Sequence, residues 1–76
     1  MSYSFTLEVS GIDTTRNYED KLFEAGCSDA LIAVVDGILL LDFEREAASF
    51  QQAVASAKRD VETAGGKVNK VMPTPE

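Results

Sequence analysis

The chain has 76 residues, with seven Lys and Arg against thirteen Asp and Glu, a formal net charge of −6, one Cys and no His or Trp. That length holds one domain, 1–76; the missing His excludes Ser-His-Asp and Cys-His catalysis, and the single Cys excludes an internal disulfide, a CxxC redox pair and an iron–sulfur cluster. The acidic balance opposes a general nucleic-acid-binding surface, because it repels the phosphate backbone.

Residues 3–10 alternate, with Tyr3, Phe5, Leu7 and Val9 on one face and Ser4, Thr6, Glu8 and Ser10 on the other. Period two with aromatic and β-branched residues predicts a half-buried strand, which Gly11 ends. A helix is expected from Thr14 or Thr15 to Ala25, with Thr14, Thr15 and Asn17 as possible N-caps and Glu19 and Asp20 in its opening turns. Tyr18, Leu22 and Ala25 form its apolar stripe, widened by Phe23, and Gly26 sits where a left-handed C-cap belongs.

Two apolar runs, 30–35 and 38–43, are joined by Asp36-Gly37. That dipeptide between strands predicts a tight hairpin in which both turn residues take positive φ. In the second run Leu39, Leu41 and Phe43 are expected inward, and Asp42 and Glu44 outward. The same parity leaves Ile38 and Leu40 facing out. Residues 49–64 predict a second helix, with Ser49 and Gln52 as a capping box and Phe50, Ala53, Val54, Ala57, Val61 and Ala64 at helical spacing. Gly65-Gly66 stops it. Lys67 to Met72 predicts a short last strand that runs out into a tail over 72–76.

The order β-α-β-β-α-β predicts an α+β, ferredoxin-like fold: a four-stranded antiparallel sheet with two helices on one face. The other face is then open. By parity it is expected to carry Thr6, Ile38 and Leu40, with Ile32 and Val34 beside them. Contiguous exposed apolar area marks an interface, so these five residues form the predicted contact surface of a homodimer or a protein partner. A core this small leaves stability marginal without a disulfide or metal, and oligomerisation would supplement it.

The remaining features carry less chemistry. Asp36, Asp42, Glu44 and Glu46 form an acidic series whose spacing matches no metal loop, and it reads as a solvated strand end. Lys58, Arg59, Lys67 and Lys70 form a possible basic patch for an acidic partner or phosphate, or simply cations near a helix C-terminus. Cys27 lacks a base and has Asp29 nearby, so it reads as a small hydrophobe. The glycines are spread over four turns and make no GxGxxG or P-loop pattern. Neither a targeting segment nor a membrane-spanning run is evident, and the expected location is cytoplasmic. No enzyme activity, cofactor or metal is expected. The alternatives are a small-molecule-binding or catalytic domain, and a nucleic-acid-associated adaptor using the basic patch.

Three phrases, Ala25-Gly26-Cys27, Asp42-Phe43-x-Arg45-Glu46-Ala47 and Ser56-Ala57-x-x-Asp60-Val61-Glu62, carry a resemblance that extends over about residues 3–73. The chain resembles the N-terminal domain of small bacterial helix-turn-helix, prophage-type regulators. The resemblance implies an accessory domain that dimerises or senses a partner. Those relatives continue into DNA-reading helices; the 76 residues here do not, so DNA binding is not carried over.

Overall fold

The observed element order is the predicted one. A computed structural model describes residues 1–15 and 17–73 and runs β1 (Ser2–Ser10), α1 (Tyr18–Glu24), β2 (Ala30–Val35), β3 (Ile38–Glu46), α2 (Phe50–Thr63) and β4 (Lys67–Pro73). The strands form one sheet in the order β2-β3-β1-β4, with every neighbouring pair antiparallel. The fold is α+β and ferredoxin-like. β1 and β2 run the same way but lie one strand apart, separated by β3.

Local chemistry explains most boundaries. Asp36 and Gly37 take φ of 52° and 79°, so a two-residue turn closes the hairpin with Val35 opposite Ile38. The Ser49 hydroxyl accepts from the Gln52 N–H at 3.1 Å and caps α2. Both helices end alike. The Cys27 N–H donates to the Leu22 carbonyl and the Gly26 N–H to that of Phe23; the Gly66 N–H donates to the Val61 carbonyl and the Gly65 N–H to that of Glu62. Each is a Schellman closure around a left-handed glycine, Gly26 or Gly65.

Several boundaries differ from expectation. α1 starts at Tyr18 rather than at Thr14 or Thr15, because Asp13 accepts from both the N–H and the hydroxyl of Thr15 and holds a turn there. Arg16, inside the predicted helix, lies outside the described residues, as do 74–76 of the predicted tail. β3 continues past Phe43 to Glu46, and β4 includes Pro73. Phe23 does not widen the α1 stripe; it is exposed, because so short a helix buries a single line of residues, led by Leu22.

The core lies between the sheet and α2. Phe5, Leu7 and Val9 of β1 and Leu39, Leu41 and Phe43 of β3 pack against Ala53, Ala57 and Val61, with Leu22 and Cys27 closing the α1 end. The rings of Phe5 and Phe43 stack at 5.4 Å, and Phe50 meets Phe5 and Tyr3 edge-on. Small alanines on α2 let the helix sit close on these rings. Gly66 is part of the same fit, since a Cβ there would lie within 3 Å of Val61, Ile12 and Val9 side chains.

Candidate functional site

The hairpin register decides which residues occupy the open face. Opposed residues of antiparallel strands share a face. Leu31 opposes Asp42, Ala33 opposes Leu40, and Val35 opposes Ile38; Ile32 opposes Leu41 and Val34 opposes Leu39. Leu39 and Leu41 are core residues. Ile32 and Val34 therefore lie on the helix side of the sheet, which corrects their predicted place on the open face. Ile38, Leu40 and Thr6 are on the open face as expected, and Leu31, Ala33 and Val35 take the positions predicted for Ile32 and Val34.

The result is a contiguous apolar surface on one half of the open face. Leu31 is 76% exposed, Val35 51% and Ile38 44%, with Ala33 and half-buried Leu40 between them. The apolar character continues around the strand. Val34 is 43% exposed although it faces the helix layer. The other half of the open face is charged. Asp42, Glu44 and Glu46 of β3 continue the even positions of Ile38 and Leu40, and Glu8 of β1 opposes Leu40 on one side and Lys70 of β4 on the other.

Arg45 was not foreseen as a functional or structural centre. It follows the parity of Leu41 and Phe43 and so points to the helix side, 11% exposed. All five guanidinium N–H groups find acceptors: Nε and Nη2 donate to Asp29 at 2.7 and 2.9 Å, Nη1 donates to Asp60 at 2.9 Å and to the Ser56 hydroxyl at 3.1 Å, and Nη2 donates to the Gly26 carbonyl at 2.8 Å. Its plane also lies over the Phe43 ring. The Arg45 hydrogen bonds hold the Asp29 carboxyl below the usual carboxylate range, against the opposing effect of burial. The clasp ties α2 to the loop that leads into β2. Gly26, Arg45, Ser56 and Asp60, one or more from each of the three phrases that carry the resemblance, meet here. Those phrases thus supply the residues of one structural fastening.

The other candidates stay apart. Cys27 is buried, and desolvation, reinforced by Asp60, pushes its thiol up to about 11, so it stays protonated at neutral pH. Lys58 and Arg59 are exposed on α2, whereas Lys67 and Lys70 oppose Ser10 and Glu8 on the open face of the sheet. The predicted basic patch is therefore split between the two sides of the molecule. A groove of about 460 Å³ lies where the loop after β1 meets the end of α2 and is lined in part by Gly11, Asp13, Tyr18 and Lys21. Its carboxylate, Asp13, is occupied by Thr15 and held low by those hydrogen bonds. Among the described residues no cluster of three metal-ligating side chains occurs, and no helix is long and apolar enough to cross a membrane. No protein family, curated protein or solved structure matches the chain.

Proposed function

We propose that the chain is a non-enzymatic self-association module that works through the β2–β3 hairpin. The observation that carries this reading is the contiguous exposed set Leu31, Ala33, Val35, Ile38 and Leu40. A second copy is the occupant that fits. The surface itself carries no charge on a chain of net charge −6, so two copies can meet there without placing like charges in contact. Association also adds apolar burial to a domain with a small core. The resemblance supports a regulatory, accessory role in a bacterial cytoplasm, where a free buried thiol such as Cys27 is stable.

Light scattering coupled to size exclusion, over a wide concentration series, tests the reading. The mass is expected to rise toward twice that of the monomer. Leu31→Lys combined with Val35→Lys is expected to keep the chain monomeric with an unchanged far-UV spectrum, since both side chains are exposed. A wild-type chain that stays monomeric across the series overturns the proposal.

A further inference from the structure

The open edge of β2 carries a more specific inference, which rests on the self-association reading. The hairpin bonding pattern settles which backbone groups of β2 are free. The Glu44 N–H donates to the Asp29 carbonyl, and the two-residue turn makes Val35 and Ile38 a bonded pair. Bonded positions alternate, so residues 29, 31, 33 and 35 use their N–H and C=O groups on β3. Ile32 and Val34 aim theirs away from the sheet. The Ala30 N–H is already given to the Cys27 carbonyl. Among the described residues, the free edge therefore offers, from Ile32 and Val34, two donors and two acceptors in one row.

The sequence along that row is Ala-Leu-Ile-Ala-Val-Val, without a charge, a Pro or a bulge. Exposed edges normally carry such guards against pairing. The opposite edge does: β4 has Lys67, Lys70, Pro73 and a register shift against β1. We infer that β2 pairs antiparallel with β2 of a second copy, about a two-fold axis through Ala33, giving a continuous eight-stranded sheet with all four helices on one side.

Three observations choose this geometry. First, stacking two open faces would bring Glu8, Asp42, Glu44 and Glu46 against their own copies, whereas edge pairing leaves these carboxylates in water. Second, face stacking leaves Val34 uncovered on the helix side, whereas edge pairing flanks Val34 on one side of the strand and Leu31 and Val35 on the other with the partner's apolar side chains, while Ile38 and Leu40 stay on the open face. Third, only registers that oppose residues of like parity keep the helices on one side, and the one centred on Ala33 pairs both free residues of each copy. It sets Ile32 opposite the partner's Val34, where both residues have free N–H and C=O groups, and Leu31 opposite the partner's Val35. Shifting the centre to Ile32 would place the Asp29 carboxylate, which Arg45 holds, opposite Val35. The contact is one strand wide, smaller than the roughly 800 Å² per partner of a standard stable interface, so the dimer is expected to form reversibly with concentration.

Site-specific cross-linking tests the inference. Ala33 faces its own copy across the axis as a non-bonded pair, with Cα atoms about 4.5 Å apart, within disulfide reach. Under mild oxidation Ala33→Cys is expected to give a disulfide-linked dimer at concentrations where wild type, with Cys27 buried, gives none. Val35→Cys alone is expected to give none, but mixed with Leu31→Cys it should give the heterodisulfide. As a second probe, Val34→Pro removes an edge N–H that β3 does not use and fixes a residue type that edge strands tolerate. It is expected to weaken dimerisation at least tenfold, with the monomer's thermal transition retained. A wild-type dimer in which Ala33→Cys fails to cross-link, or in which folded Val34→Pro still dimerises fully, overturns edge pairing while leaving self-association standing. Absence of any wild-type dimer overturns both.

Discussion

The two edges of this sheet are finished in different ways. β4 carries two lysines, a register shift and a terminal proline, and the 14-residue α2 covers the sheet beside it; β2 carries none of these guards and has the seven-residue α1. Both edges belong to similar β-α-β halves, so the topology does not require the difference. It teaches that an edge strand's fate is decided by a few side chains: charge and a bulge make β4 an end, and their absence makes β2 a place where a sheet can continue. The chain's negative charge sharpens the contrast, because its carboxylates are kept off β2 altogether.

The largest effect that separates the two regions compares one residue type on adjacent strands. Leu41→Ala, at 0% exposure in the core, is expected to cost about 3 kcal/mol in urea denaturation, a large part of the total for a chain this size. Leu31→Ala, on the edge, is expected to change monomer stability by no more than about 0.5 kcal/mol and to act on dimer mass instead. Equal losses at both positions would erase the distinction. Next comes the fastening at the entry to β2. Arg45→Ala leaves Asp29 and Asp60 without their shared cation and is expected to cost roughly 3 kcal/mol, with Arg45→Lys recovering only part because it lacks the fork. The entry to β4 depends on fit instead. Gly66→Ala forces a methyl against Val61, Ile12 and Val9 and is expected to lower the urea midpoint by the equivalent of roughly 2 kcal/mol, with no dependence on pH.

The smallest effect is a pH signature that only the β2 side carries. The carboxyl of Asp29 titrates lower in the folded chain than in the unfolded one. Its contribution is therefore present at pH values above the ordinary carboxylate range and is lost as pH falls through the lowered folded value. Asp29→Asn should reduce stability at pH 7 and flatten the acid-side decline, as measured by urea midpoints at pH 7 and pH 3. A variant that loses stability equally at both pH values would show that Asp29 acts through packing alone.

Much of this arrangement is legible in the residues. Alternation in 3–10, the Asp36-Gly37 turn, both glycine stops and the apolar stripe of α2 lead directly to the topology. The face of β2 is legible too, but only through the turn. A two-residue loop opposes Val35 with Ile38, so the two share a face and Val34 must take the other. Apolarity cannot reveal this, because β2 is apolar on both sides. Arg45 is harder to read. Its inward direction follows from extending the parity of Leu41 and Phe43 by two residues, but its acceptors, Asp29 and Asp60, come from other elements and meet only in the folded chain. The start of α1 is obscured because Thr14, Thr15 and Asn17 are chemically equivalent caps. The bond from Thr15 to Asp13 decides between them.

The strand order has a kinetic consequence. β2 and β3 are joined across Val35 and Ile38, a closure that takes on the order of microseconds, whereas β1 must wait for partners as distant as Pro73, which pairs with Phe5. The edge of β3 that β1 covers, rich in leucine and phenylalanine, is reached only by the long-range pairing of Ser2–Val9 with Leu39–Glu46. The speed with which β1 closes over β3 therefore sets how long that apolar edge stays unpaired.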